Sequence, residues 1–377
     1  MASFSRVRRW DTLACVRAWV IGLLSIAPFG VIGASCALES FEKVPVPPDP
    51  QCQHASAPAP PDIDASVDAG PFEEFTVAMR VLRLKTAADG GPLGLDIDRF
   101  CSCQGEQKSC VPPPLQPEKL PCDLPEGRDN QAQALFGSLE LILNVQGDGL
   151  STLYSGFAEA GRWSVLLRVS EYNGTENDNR VRVEWFPSGG TMVAPAWDGG
   201  DTWPVVPTAY TDAAVPEPRY VDAKAYVTNN VLVFSLPDGE LAASNGQTRL
   251  AMRLTAGTVM ARIDKQPSGI YLRDGVIAGR MKEEDLFYMV DQFRDDKGQP
   301  FCTNNLLWPT MKDTFCRGLD IQADFAAPNQ PCNAVSIGIG FDSDPAKIGP
   351  TEPAAGAAIN CDVGLDPLTH IKMFPCP

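Results

Sequence analysis

Histidine is almost missing from this chain: of 377 residues only His54 and His370 carry an imidazole. A Ser-His-Asp or Cys-His mechanism would have to depend on His370, in a Pro- and Gly-rich tail near the C-terminus. Also missing are an HExxH pair, a GxSxG elbow, a GxxxxGK phosphate loop and a GxGxxG turn after a strand. The common zinc-peptidase, hydrolase, nucleotide and dinucleotide chemistries therefore find no support. Basic residues are scarce as well, with 31 Lys and Arg against 47 Asp and Glu and a net charge of −16. A surface so acidic repels phosphate backbones and anionic headgroups, which argues against nucleic acid as a partner and makes a cation the natural small ligand.

Long apolar runs are confined to the N-terminus. Arg6, Arg8, Arg9 and Arg17 precede AWVIGLLSIAPFGVIGAS (Ala18–Ser35) and then Cys36. Basic, apolar and small residues in that order are a secretory signal, and Pro28 with three glycines makes a poor spanning helix. Gly33-Ala34-Ser35-Cys36 resembles a lipobox, so residues 1–35 are expected to be a cleaved signal peptide and Cys36 a lipidated N-terminus. The expected location is exported and lipid-anchored at the cell envelope, on the outer or inner membrane. Residues 36–74, rich in Pro, Ala and Asp, read as a tether. Within it Asp62, Asp64, Ser66, Asp68 and Glu73 match EF-hand ligand positions, but Val67 occupies the place of the turn glycine, and a plain acidic linker is the expectation.

Twelve cysteines are present. Setting aside Cys15 in the signal and Cys36 leaves ten: Cys52, Cys101, Cys103, Cys110, Cys122, Cys302, Cys316, Cys332, Cys361 and Cys376. In an oxidising compartment these are disulfide candidates, with a connectivity that spacing does not fix. Four of them fall in Gly94–Asn130 (GLDIDRFCSCQGEQKSCVPPPLQPEKLPCDLPEGRDN), together with six prolines and four aspartates. With little apolar periodicity, this stretch needs cross-links, a bound ion or both to hold a shape. A four-thiolate zinc site does not fit the Cys spacing. Asp96, Asp98 and Asp129, joined by Asn130, form a candidate metal set, calcium being the cation that oxygen ligands suit. The competing reading makes Asp96 and Asp98 turn caps and Asp129 the cap of a following helix.

Beyond Phe75 the text is strand after strand. FTVAMRVLRLK, WSVLLRVSEY, NRVRVEWF, KAYVTNNVLVFSL, TRLAMRLTAGTVMARID, SGIYLRDGVIAG and AVSIGIGF are short β-branched or aromatic runs punctuated by Asn, Asp, Gly and Pro. Helical spacing is confined to Asp129–Val145 and Met281–Arg294. The expected fold is mainly β: a two-sheet, jelly-roll-like β-sandwich over residues 75–377, stapled by disulfides, with two or three peripheral helices. GLDI occurs twice, at Gly94–Ile97 and Gly318–Ile321, and reads either as a strand meeting a loop twice or as two related halves. Asn173, Asn177 and Asp178 are read as a hairpin loop in preference to a second ion cluster.

GLDID before Cys-x-Cys, GRDN (Gly127–Asn130), YNGTEND (Tyr172–Asp178), AYV (Ala225–Val227) and GVIAGRM (Gly275–Met281) together make the region from Phe75 to Phe341 similar to exported lipoproteins of myxobacteria. That resemblance implies export and a bacterial origin and brings no activity with it.

The functional expectation is a non-catalytic cell-surface binding or adhesion module with an unidentified surface ligand, a glycan among the options, and a calcium requirement. Loop aromatics Trp185, Trp197, Trp203, Tyr210 and Tyr220 could stack on sugar rings, although core and loop packing is the commoner use of such residues. The alternatives are a secreted carbohydrate-active enzyme working with paired carboxylates, such as Glu171 and Glu184, and a purely structural envelope protein.

Overall fold

The computed structural model describes residues 53–62 and 72–353, apart from 104–108, 114–120, 143–148, 192, 213–216, 245–248, 292–306 and 324–328, together with Cys376. Residues 1–35, expected to be a signal peptide, together with Cys36, Cys52, Cys302, Cys361, His370 and most of the expected tether lie outside the described residues.

Period-two alternation governs the architecture. Val165, Leu167 and Val169, then Val181, Val183 and Trp185, then Val335, Ile337, Ile339 and Phe341 are all almost fully buried in one core, while Arg168, Arg182 and Asp342 between or beside them face outward. Eight strands carry this pattern: β1 (Glu73–Arg83), β2 (Ser164–Tyr172), β3 (Asp178–Ser188), β5 (Tyr220–Thr228), β6 (Val231–Ser244), β7 (Arg249–Gln266), β8 (Gly269–Lys282) and β9 (Ala334–Pro345). Each pairs antiparallel with the next, and β9 returns to β1 through partners running from Val77↔Pro345 to Arg83↔Gly340.

The sheet is thus a closed eight-stranded barrel. The mainly-β expectation holds, and the two-sheet sandwich is corrected. Alternating strands serve both architectures equally, and the deciding event is the meeting of the first strand with the last, which no local pattern encodes. Register shifts in β1, β3, β7 and β8 supply the bends that closure needs. Side chains as large as Trp185, Phe234 and Phe341 belong to the core cluster, so this is a filled barrel. Apolar residues inside and charged ones outside reverse the pattern of a membrane-spanning barrel.

A short strand β4 (Thr202–Val205) pairs in parallel with β10 (Lys347–Thr351) outside the barrel. There Trp203, Val205 and Ala209 cover the outward Leu166 and Phe186, with Trp197 5.3 Å from Trp203 and Tyr210 5.8 Å from Phe186. Trp185 points inward and donates its Nε1–H to Glu240 O at 3.0 Å. The aromatics between 185 and 220 are therefore packing groups. In the β2–β3 hairpin Asn173 accepts the Thr175 N–H and donates to Asn177 O, which is turn chemistry.

Four α-helices occur among the described residues: α1 (Ala132–Ile142), α2 (Gly149–Glu159), α3 (Glu283–Asp291) and α4 (Leu307–Arg317). The helices expected at Asp129–Val145 and Met281–Arg294 are α1 and α3, where Leu135, Leu139, Leu286 and Met289 join the core. Helix α2 was not legible, because GLSTLYSGFAE buries only Leu150, Ser151, Tyr154 and Ala158 and is otherwise small or polar. It packs on β1 and β6, strands on opposite sides of the ring, and so closes one barrel mouth. Its Ser151 and Ser155, one turn apart, accept the Leu84 and Leu82 N–H groups at 2.9 Å, satisfying backbone where β1 runs beyond β2.

Candidate metal centre

The cysteine-rich stretch lies against the outer face of β8 and β9. It can approach because β9 lacks side chains there: a Cβ on Gly338 would stand 2.7 Å from Gly94 Cα. Gly94 itself has φ 111°, a backbone state that favours glycine, and a Cβ on it would stand 2.7 Å from Asp129 O. Asn130 braces this contact, its Oδ1 accepting the Gly338 N–H at 2.9 Å and its Nδ2 donating to Leu93 O at 3.4 Å. Its amide is committed to the brace, which leaves the three aspartates as the core of the candidate ligand set. Arg99, Cys103 and Glu126 all adopt positive φ, so the stretch concentrates strained backbone.

Cross-links hold it in that state. Cys103–Cys122 closes a loop within the stretch, Cys110–Cys332 ties it to the approach of β9, and Cys316–Cys376 ties α4 to the C-terminal tail. Cys101 is also disulfide-bonded. A four-thiolate metal site is thereby excluded, and Cys101 near His54 is no thiolate ligand either, although His54, Asp96 and Cys101 cluster.

Asp96, Asp98 and Asp129 each offer a carboxylate oxygen, and these oxygens lie within 4.8 Å of one another. Each carboxylate also satisfies nearby backbone: Asp129 Oδ2 accepts Ile97 N–H at 2.7 Å and Asp98 N–H at 3.3 Å, Asp96 Oδ1 accepts Arg99 N–H at 2.6 Å, and Asp98 Oδ1 accepts Phe100 N–H at 2.8 Å. Asp129 thus caps the 97–98 turn and not helix α1. Turn capping and convergence on one point coexist in the same three side chains.

Two further aspartates, absent from the sequence-derived set, join them. Asp123 accepts the Ser102 N–H at 2.5 Å, and Asp320 accepts the Ser336 N–H at 2.8 Å and its hydroxyl. Asp320 belongs to the second GLDI and Asp96 to the first, so the duplicated tetrapeptide delivers two carboxyls to one cluster. Burial, reinforced by the charges of Asp98, Asp320 and Asp96, pushes the Asp123 carboxyl up to about 8 against the Ser102 hydrogen bond. Burial raises Asp320 to about 7, with the two Ser336 bonds pulling the other way and Asp98 adding to the rise. Asp129 is raised well above its ordinary value by burial and by Asp98, Asp320 and Asp123. Asp96 is raised by burial, opposed by His54 and the Arg99 N–H.

A fixed cation adjoins the group. Arg280, 2% exposed on β8, donates Nη2 to Ile97 O at 2.6 Å, and its strand partner is the Ser336 that binds Asp320. Among the described residues Arg128 and Lys85 are also near, but they are bonded to Glu126 and Glu140, so five carboxyls outweigh the cations around them. A divalent ion would reverse the mutual repulsion that adds to the effect of burial on these groups.

His54 and Ala55, within the expected tether, are held at this centre. Ala55 donates to Glu126 O and accepts from Asp96 N, both at 2.8 Å, and His54 Nδ1 contacts Asp96 Oδ2. Further on, Tyr226 donates to Pro58 O at 2.6 Å and Thr228 to Ala59 O at 2.8 Å.

Beside the acids lies a cavity of about 280 Å³ lined by Lys85, Asp123, Asn130, Gln131, Gln133 and Asp320, among others. The Lys85 ammonium is bonded to Glu140. Glu171 and Glu184, the carboxylates suggested for glycosidic chemistry, do not form a site: Glu184 is buried between Arg168 and Arg182, and Glu171 pairs with Arg180 at 3.7 Å. No protein-family model matches the chain, and no curated protein or solved structure matches it.

Proposed function

We propose that this protein is a non-catalytic binding module, exported and lipid-anchored at the cell envelope, whose acidic centre takes calcium through Asp96, Asp98 and Asp129. The observation that carries the reading is the convergence of those three carboxylates on a loop held rigid by disulfides and by Asn130. Calcium takes six to eight oxygens at about 2.3–2.6 Å, and carboxylates pre-positioned on a stapled loop lower the ordering cost of collecting them. The filled barrel supports the same reading, since it leaves binding to the outer loops and not to a lumen. Equilibrium dialysis against labelled calcium tests the centre: about one ion per chain is expected, and a protein with intact disulfides that retains none would sink it. Export and anchoring are tested by growing cells with labelled fatty acid, where label surviving Cys36→Ser would reject acylation at that residue.

A second reading has a specific observation behind it. Asp123 and Asp320 line one cavity with carboxyls raised into the neutral range, the state a general acid needs. Release of reducing sugar that is abolished by Asp123→Asn would replace the binding module with a carbohydrate-active enzyme.

A further inference from the structure

From the cavity beside the acidic centre we infer a binding site for a neutral polyhydroxylated ligand about the size of one sugar ring; the inference rests on the binding-module reading. Four chain segments build the cavity. Lys85 follows β1, Asp123 belongs to the cysteine-rich stretch, Asn130, Gln131 and Gln133 lie at the start of α1, and Asp320 follows α4. Its volume of about 280 Å³ sits just below the roughly 300–1,000 Å³ of pockets for drug-sized ligands. A lone ion would leave most of it unfilled.

The lining selects the chemistry. An anion meets two carboxyls, and the one ammonium in the wall is already bonded to Glu140. An apolar ligand would strip water from carboxyl and amide groups and return no hydrogen bonds, leaving each group unpaired. Hydroxyl groups both donate and accept, and so match amides and carboxyls in either protonation state. A second observation points the same way: Gln133 Oε1 is buried with no hydrogen-bond partner among the described residues, in the same side chain that lines the cavity. A ligand hydroxyl is the donor it calls for. Rigidity favours small-ligand recognition too, because the Cys103–Cys122 disulfide and the Ser336–Gln131 hydrogen bond fix two of the walls.

Saturation-transfer NMR and calorimetry on the oxidised domain, with D-glucose, D-galactose, D-mannose, N-acetyl-D-glucosamine and myo-inositol as probes, test the inference. Saturable binding of at least one probe is expected, weakened about tenfold by Gln133→Ala, the equivalent of one lost hydrogen bond. Gln131→Ala is the second variant, since its backbone N–H and not its side chain makes the structural bond to Ser336. No saturation by any probe, or unchanged affinity in both variants when each melts like the parent, overturns the inference. Calcium titrated into the same samples separates the two readings: calcium binding without sugar binding removes the cavity site alone, and loss of both removes the module with it.

Discussion

The barrel wall and the cysteine-rich stretch Gly94–Asn130 reach order by opposite means. The wall is built from strands whose inward residues are aliphatic or aromatic and nearly unexposed, and its backbone pairs with the next strand. The stretch buries aspartates, adopts positive φ at Gly94, Arg99, Cys103, Glu126 and Gly127, and is cross-linked within itself and to the approach of β9. A region that stores charge and strain needs restraint from elsewhere, and here disulfides and the flat glycine face of β9 provide it. Cohesion and the candidate site therefore occupy different parts of one domain.

Removing the restraint should have the largest effect. Cys110–Cys332 spans 222 residues of sequence, and loop-closure entropy gives such a link about 5 kcal/mol. Urea unfolding of the Cys110→Ser/Cys332→Ser form should show that loss, and a change under about 1 kcal/mol would mean that packing holds the stretch unaided. Next in size, Trp185→Ala should cost about 3–5 kcal/mol by emptying the core, while leaving calcium binding intact, because the wall and the centre are energetically distinct. Loss of calcium binding in that variant would blur the distinction.

Calcium at a hundred times its dissociation constant should stabilise the oxidised protein by about 2.7 kcal/mol, and Asp98→Asn should remove most of that gain. The readout is the thermal midpoint in calcium against chelator, and an equal response in parent and variant would reduce Asp98 to a cap. The smallest effect concerns pH. Asp123 and Asp320, raised to about 8 and about 7, are neutral in the fold and charged in the unfolded chain between their ordinary 3.8 and those values. Folding then takes up protons, so chelated protein should be most stable near pH 4–5 and lose stability as pH rises through 7 and 8. Calcium should flatten that decline, and a midpoint that climbs with pH in chelator would contradict the raised values.

What could be read in the sequence follows the same division. Val335, Ile337, Ile339 and Phe341 were recognisable as one buried face because a strand writes its period locally, as does helix α1 with Leu135 and Leu139. Closure was invisible, since β1 and β9 carry no mark of each other. Asp96, Asp98 and Asp129 were legible as a set because they share one stretch. Asp320 lies far along the chain, and its only signal was the repeated GLDI, whose two copies converge in space. The docking of His54, Ala55 and Pro58 left no trace either, for it runs largely through backbone carbonyls, which every residue possesses.

The seam between β1 and β9 also governs how the molecule must come together. Arg80 and Asp344, bonded across it, are 264 residues apart, so this pairing carries the greatest loop-closure penalty in the wall and belongs late in folding. Until it forms, two long strands present unpaired N–H and C=O groups, the template on which neighbouring chains join edge to edge. Once it forms, the barrel has no edge left to offer. For the barrel wall, the hazard of edge-to-edge association therefore belongs to the interval before the ring is shut.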